Sequence, residues 1–478
     1  MPRAWVIHAI ESSLSILFAG PAKDLARNVT AKTALTPWTL KSAHSTKVQT
    51  AIVLAQAGRS SARSHPIENA GFALYCIYVL SGFANDWSLH VFGTKAYLST
   101  VTLVLLPLAW LFSGKALRGL HSATGLCWAA FLLWMILATP LSVWRGGSAA
   151  LLVNYVPRAY LDFFYTCAFV TSLRRCRQWM YVQIASGAAL LLSCLAFGNM
   201  GDDPSQARFS IPHSLFYANS NDLALALLLG ISSFLFLFHQ PSRAGRLAGM
   251  AGILCSTFYA FRTGSRGAVI AASAMLILIF LLSRNKWKVT GLGIAALVVA
   301  LAAAIGGESS SSLHRLALLT SDTSSPPESE SDVSSVASQV QREELFKTSL
   351  RYTLRHPLFG VGPDQFATAV SQDAARASQH LPWLGTHNTY TQVSSECGIP
   401  ALIFYAAVIG LCLESNLRLY RRTRDRPAYR DLAGLSRCLL AGTLVFAVSA
   451  FFFHMAYSAY LPTLAGFTVA LTQTKQRA

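Results

Sequence analysis

Twelve continuous apolar stretches run along the chain, at about 69–86, 97–113, 122–143, 149–172, 179–199, 221–238, 247–261, 268–283, 289–306, 398–416, 436–452 and 459–473. Most have the length a helix needs to cross a bilayer core of roughly 30 Å. A backbone inside a bilayer finds no water to bond, so only helices or a closed barrel can span it. Barrel strands alternate polar and apolar residues over about ten positions, and these stretches do not alternate. The sequence therefore predicts an all-α, polytopic membrane protein of about twelve transmembrane helices. Composition agrees: 53% of the residues are hydrophobic and 13% charged, where a soluble domain carries about a quarter charged.

The formal net charge is +18. In a soluble chain that would suggest a nucleic-acid partner. Here no basic patch alternates with aromatic residues outside the apolar stretches, so no nucleic acid is expected. Lys and Arg instead collect on alternate loops: Lys115 and Arg118; Arg174, Arg175 and Arg177; Arg243 and Arg246; Arg284, Lys286 and Lys288; and six arginines from Arg418 to Arg430. Basic loops stay cytoplasmic, so these loops and both termini are expected on the cytoplasmic side. The opposite side, which in a Gram-negative cell is the periplasm, then holds the loops near Asp86, Arg145, 200–220 and 262–267, and one long extracytoplasmic loop, 307–397.

Four segments follow. Residues 1–68 carry Lys23, Arg27, Lys32, Lys41, Lys47, Arg59 and Arg63, and their first apolar run is interrupted by His8 and Glu11. They lack a signal-peptide layout and are expected to be a basic cytoplasmic or membrane-surface extension. Residues 69–306 carry helices 1–9, and 398–478 carry helices 10–12 and a cytoplasmic tail. Within the 307–397 loop, residues 308–341 are rich in Ser, Glu and Asp and are expected to be flexible. Residues 342–397 form its helical part. Over 340–355 a helix is predicted with Phe346, Leu350 and Leu354 as an apolar stripe and Arg342 one turn earlier. It should end at His356-Pro357, because a residue before proline disfavours the helical region. The nine cysteines include no CxxC pair, so neither a disulfide framework nor a zinc site is indicated.

Charged and polar residues on the sparsely basic face are the candidates for chemistry. Arg262 and Arg266 flank a short turn, Thr263-Gly264-Ser265, between two apolar stretches. Two guanidinium groups beside glycine amides suit a pyrophosphate, although either could simply reach lipid phosphates. Arg208 precedes Asn219-Ser220-Asn221-Asp222, which opens an apolar helix; an N-cap explains one of those polar residues but not Arg208. Arg342 lies ahead of His356-Pro357-Leu358-Phe359-Gly360-Val361-Gly362-Pro363. His387, Asn388 and Tyr390 open a further helix, with Glu396 about two turns on. Histidine titrates near neutrality and suits general-base work.

In that order these elements resemble the O-antigen ligase and O-antigen polymerase family of bacterial envelope glycosyltransferases, over about 200–415. The resemblance implies a GT-C-like membrane glycosyltransferase. Its partners would be an undecaprenyl-pyrophosphate-linked glycan, a sugar acceptor such as the lipid A core, and membrane lipids. By the same resemblance Arg266, Arg342 and His387 would be catalytic. Arg208, Arg262, Asn219, Asn221, Asn388, Tyr390 and Glu396 would be substrate-binding. No cofactor and no metal are expected, since guanidinium groups can neutralise a departing pyrophosphate. A divalent ion on Asp86 and Asp202-Asp203 is the metal-dependent alternative. A polymerase, a protein O-glycan transferase and, from another class, a transporter are the rival functions; a transporter should show an internal repeat, and none is evident.

Overall fold

The computed structural model describes residues 66–94, 97–200, 208–305, 330–376, 378 and 385–475, all within the unit His65–Ala478. Among them every apolar stretch is helical. The helices are α1 (Pro66–Phe92), α2 (Leu98–Leu111), α3 (Ala123–Ala138), α4 (Arg145–Tyr155), α5 (Asp162–Phe169), α6 (Leu173–Phe197), α7 (Ser220–Phe238), α8 (Arg243–Arg262), α9 (Arg266–Leu282), α10 (Lys286–Ile305), α11 (Glu330–Arg355), α12 (Phe366–Arg376), α13 (Thr389–Thr423), α14 (Arg430–Ser449) and α15 (Tyr460–Lys475). A two-residue hairpin, β1 (Asn199–Met200) with β2 (Phe209–Ser210), is the sole sheet among the described residues. Six helices, counted together with their short 3-10 ends, are long and apolar enough to cross a membrane: Pro66–Phe92, Ala123–Leu141, Leu173–Phe197, Ser220–Phe238, Thr389–Thr423 and Pro427–Ser449. The chain is thus a helical, polytopic membrane protein. On α2, Val101, Val104, Leu108 and Leu111 are exposed, which in a bilayer places them against lipid.

Local chemistry sets several helix starts. Ser122, Ser172 and Ser242 accept from the N–H groups of Gly125, Arg175 and Gly245 at 3.0, 3.3 and 3.1 Å, each satisfying one of the donors a helix leaves open. The 149–172 stretch, expected as one helix, is instead broken. Pro157 has no N–H to give, and the chain widens into a π-turn over Val156–Tyr160, closed by Leu161 N–H to the Val156 carbonyl. Trp128 stacks on Tyr160 there, ring centroids 5.1 Å apart, and each donates to the other's carbonyl.

Contacts between loops sort them into two ends. At one end Glu68 accepts from Lys115, Thr171 and Arg175, Arg177 pairs with Asp431 and Arg284 with Asp425, and Arg430 donates to the His239 carbonyl. At the other, Asp86 accepts from Ser214 and the Leu215 N–H, Arg208 reaches Thr263, and Ser148 reaches Pro363. The first group is the arginine- and lysine-rich set of loops.

Three boundaries differ from expectation. The first described helix begins at Pro66, and its Glu68 is a buried anchor of the ion pairs above rather than part of an extension; residues 1–65 lie outside the described residues. The loop helix starts at Glu330, ten residues earlier than predicted, so only 308–329 of the segment expected to be flexible lie outside the described residues. Phe346, 43% exposed, borders a cavity, whereas Leu350 and Leu354 are 44 and 69% exposed and do not face the fold. Ser349, Tyr352 and Thr353 do, because a small cluster of Tyr352, Val361, Phe366 and Ala369 claims the other side of α11. Finally, α13 opens at Thr389 inside the predicted loop and runs on to Thr423 across a kink at Gly398.

Candidate active site

The site begins with that kink. Pro400 has no N–H, so the Glu396 carbonyl loses its intrahelical partner. Gly398 adopts φ +87°, ψ 173°, a conformation essentially confined to glycine, and this turns the Ile399 N–H away from Ser395. The segment after α11 supplies what the helix has lost. Val361 N–H donates to the Ser395 carbonyl and Gly362 N–H to the Glu396 carbonyl, both at 2.9 Å, while Ile399 N–H returns to Pro357 at 2.7 Å. Glu396 Oε2 accepts from Asp364 N–H at 2.9 Å and Tyr457 Oη at 2.6 Å. Thr353 and Ser394 hydroxyls meet at 2.8 Å. Two motifs about forty residues apart thus lock α11 beside the first turns of α13.

That lock brings Arg342 of α11 to one cavity with His387. A space of about 220 Å3 is lined by Arg342, Glu343, Phe346, Thr386, His387, Asn388, Phe451 and Phe452. His387 sits at φ +50°, a left-handed conformation that histidine adopts several times less readily than glycine. Its neighbours hold it. Asn388 Oδ1 caps α13, accepting from Tyr390 and Thr391 N–H at 2.9 and 3.0 Å. Thr389 N–H donates to Ala450, Thr389 Oγ1 to Phe453, and Tyr390 Oη to Ala447, at 2.7, 2.7 and 2.8 Å.

Arg266 arrives from a third direction, as the first residue of α9. A Cβ on the next residue, Gly267, would stand 2.6 Å from Phe452 Cβ, so the missing side chain lets the start of α9 approach the cavity wall. The charges interact. Burial, and then the Arg266 charge, hold Arg342 below its ordinary range. Burial, and then the Arg342 charge, hold His387 below the usual histidine range. Both effects disfavour the protonated ring, so His387 is kept in the form that accepts a proton.

The remaining predicted residues fall into two groups. Arg208 donates from Nε to the Thr263 carbonyl and from Nη2 to Asn221 Oδ1, both at 2.8 Å, and so ties β2, α7 and the turn before α9 together. Arg262 lies over the Phe209 and Phe258 rings, 5.5 and 5.8 Å from their centroids. Asn219 caps α7, its Oδ1 accepting from Asn221 N–H at 2.8 Å. Asn388, Tyr390 and Glu396 have the scaffold partners given above. Asp86 spends both oxygens on the Ser214–Leu215 turn, and Asp202-Asp203 lie outside the described residues. Among the described residues no three His, Cys, Asp or Glu side chains cluster as metal ligands.

Sequence reasoning overlooked His454, Phe451 and Phe452, and gave no role to Thr386 and Gln392 in the segment around His387. The available signal was a histidine at the outer end of an apolar stretch, directly after three phenylalanines. Residues 251–406 match the protein-family model described as O-Antigen ligase. That span contains Arg262, Arg266, Arg342, His387, Asn388, Tyr390 and Glu396, whereas Arg208, Asn219, Asn221 and His454 lie outside it. No match is found among curated proteins. Across residues 251–406, which carry α11, the first half of α13, Arg266 and Arg342, the chain is similar to the O-antigen ligase family.

Proposed function

We propose that this membrane glycan transferase moves a glycan from an undecaprenyl-pyrophosphate donor to a sugar hydroxyl, with a lipid A core sugar as the acceptor. All twelve apolar stretches, the broken 149–172 stretch among them, cross the bilayer in a GT-C-like arrangement, and the reaction takes place at the periplasmic face of a bacterial inner membrane. One observation carries the reading: Arg342 and His387, from separate stretches, line a single cavity, and the charge of Arg266, from a third stretch, reaches Arg342 as that of Arg342 reaches His387. Two guanidinium groups close enough to repel each other suit a doubly charged pyrophosphate.

In this reading the acceptor oxygen attacks the anomeric carbon as the carbon–oxygen bond to the pyrophosphate breaks. The electron pair leaves on the pyrophosphate oxygen, where Arg266 and Arg342 neutralise it. The acceptor proton passes to His387, whose low pKa keeps it ready to accept. One-step attack inverts the anomeric centre, as the family resemblance implies.

The test is single-turnover transfer by the purified full chain in lipid, with donor binding measured separately. His387→Ala should leave donor affinity nearly intact and slow transfer by about 10²-fold or more. Arg342→Ala should weaken both. Wild-type transfer by His387→Ala would remove the histidine from the chemistry. In cells, a deletion strain should accumulate the lipid-linked glycan and lose the glycan from its lipid A core, as read by mass spectrometry.

A further inference from the structure

His454 lies in the connection between α14 and α15 and reaches the His387 segment on both sides. Its Nδ1 is 3.3 Å from Thr386 Oγ1, and its Nε2 is 3.1 Å from Gln392 Nε2. The direction of these bonds is determined. Ala456 N–H donates to Gln392 Oε1 at 3.1 Å, which fixes the amide so that its NH2 faces the ring. An NH2 group can only donate, so His454 Nε2 accepts and its proton sits on Nδ1. Nδ1–H then donates to Thr386 Oγ1, and the Thr386 hydroxyl donates to the Asn388 carbonyl at 3.0 Å. The chain therefore has one polarity: Gln392, His454, Thr386, Asn388.

This chain brackets His387. Thr386 precedes it, Asn388 follows it, and Gln392 is one helical turn beyond Asn388. The bracketed residue holds φ +50°, a conformation that is strained for a side chain with a Cβ and persists only where the surroundings determine it. Thr386 and Asn388 line the cavity with His387 and Arg342, so a shift of this segment moves the proton acceptor relative to the anion-binding arginines. Misplacing a reacting group by about 1 Å costs up to about 10²-fold in rate.

We propose that His454 is the positioning residue of His387: it imposes the segment's conformation through Thr386 and Gln392 and touches neither donor nor acceptor. The inference rests on the reading of His387 as the proton acceptor given above.

The experiment compares His454→Ala, His454→Asn and Thr386→Val, singly and with His454→Ala and Thr386→Val combined, in the purified full chain. Folding is checked by monodispersity, and donor Kd and single-turnover rate are measured separately. An asparagine amide can replace the Nδ1–H donor to Thr386, and alanine cannot. His454→Ala should slow transfer about 10-fold or more with donor Kd within about twofold. His454→Asn should regain most of the rate, and adding His454→Ala to Thr386→Val should slow transfer by less than His454→Ala slows the wild type. A wild-type rate for His454→Ala would overturn the proposal. So would equal impairment by Ala and Asn, which would make the ring a space-filler, or a loss confined to donor Kd, which would make it a donor contact. His387→Ala is run in parallel. If it transfers like wild type, the reading of His387 fails whatever the His454 variants do; if it is inactive while His454→Ala is normal, this inference alone fails.

Discussion

Gly398→Ala is the substitution the geometry condemns most clearly. At φ +87°, ψ 173° any residue with a Cβ costs about 1–3 kcal/mol. The added methyl would overlap the Leu358 carbonyl and stand 2.9 Å from the Phe359 nitrogen, so the turn after α11 must retreat. Retreat breaks the 2.7 Å bond from Ile399 N–H to Pro357, worth about 1 kcal/mol net, with a further penalty of about 1–3 kcal/mol for any carbonyl left buried without a partner. The total is about 3–7 kcal/mol, enough to undo the α11–α13 lock and with it the approach of Arg342 to His387. The control is Gly410→Ala, lower on the same helix, where a Cβ meets nothing within 4 Å; it should be neutral or gain up to about 1 kcal/mol from helix propensity. Both variants are purified in the same detergent, and the thermal midpoint of the soluble monodisperse fraction is compared with the transfer rate. Gly398→Ala should melt well below wild type and transfer poorly. If it matches Gly410→Ala on both measures, the interlocking of the two motifs is wrong as described.

Other outcomes follow from the charges. Arg266→Lys keeps the positive charge but loses the planar two-pronged fork, so transfer should fall severely, with donor affinity as the direct readout. The acid limb of kcat/KM should lie below the ordinary histidine range, because His387 must be neutral and its pKa is lowered by burial and then by the Arg342 charge. Arg342→Gln removes one depressing charge, so that limb should move to higher pH; a shift downward or none would contradict the assignment. For topology, a cysteine at the exposed position Gln341 should react with an impermeant reagent added outside, and one at the exposed Arg422 should not; the reverse pattern would place the cavity in the cytoplasm.

Much of the site was legible as residue types. The turn at Thr263-Gly264-Ser265, the end of α11 before Pro357 and the helix opened by Asn388 all follow from local backbone rules, and the structure has them at those positions. The roles of individual polar residues were less legible. The resemblance implies substrate contacts at Asn219 and Asn388, and local backbone rules do not show that each also gives its side-chain oxygen to a helix cap. The apolar stripe of Phe346, Leu350 and Leu354 has the right period, but only Phe346 reaches the cavity and the two leucines face out, because periodicity identifies a face and says nothing of which partner will cover it.

What the sequence determined by itself was the class of protein. Long apolar stretches admit only helices, and the uneven Lys/Arg count picks out the set of loops whose members ion pairs later join. These are properties of single segments and need no knowledge of neighbours. The tertiary structure decided which segments meet. The Ser395 and Glu396 carbonyls, opened by Gly398 and Pro400, are satisfied by N–H groups more than thirty residues earlier, and Gly267 earns its meaning only from Phe452 packed against it. His454 is one histidine among twelve in the sequence, and only the fold sets it against Thr386 and Gln392. Hydrogen bonds and close packing act over about 3–4 Å, so pairings between distant stretches exist only after the helices have assembled.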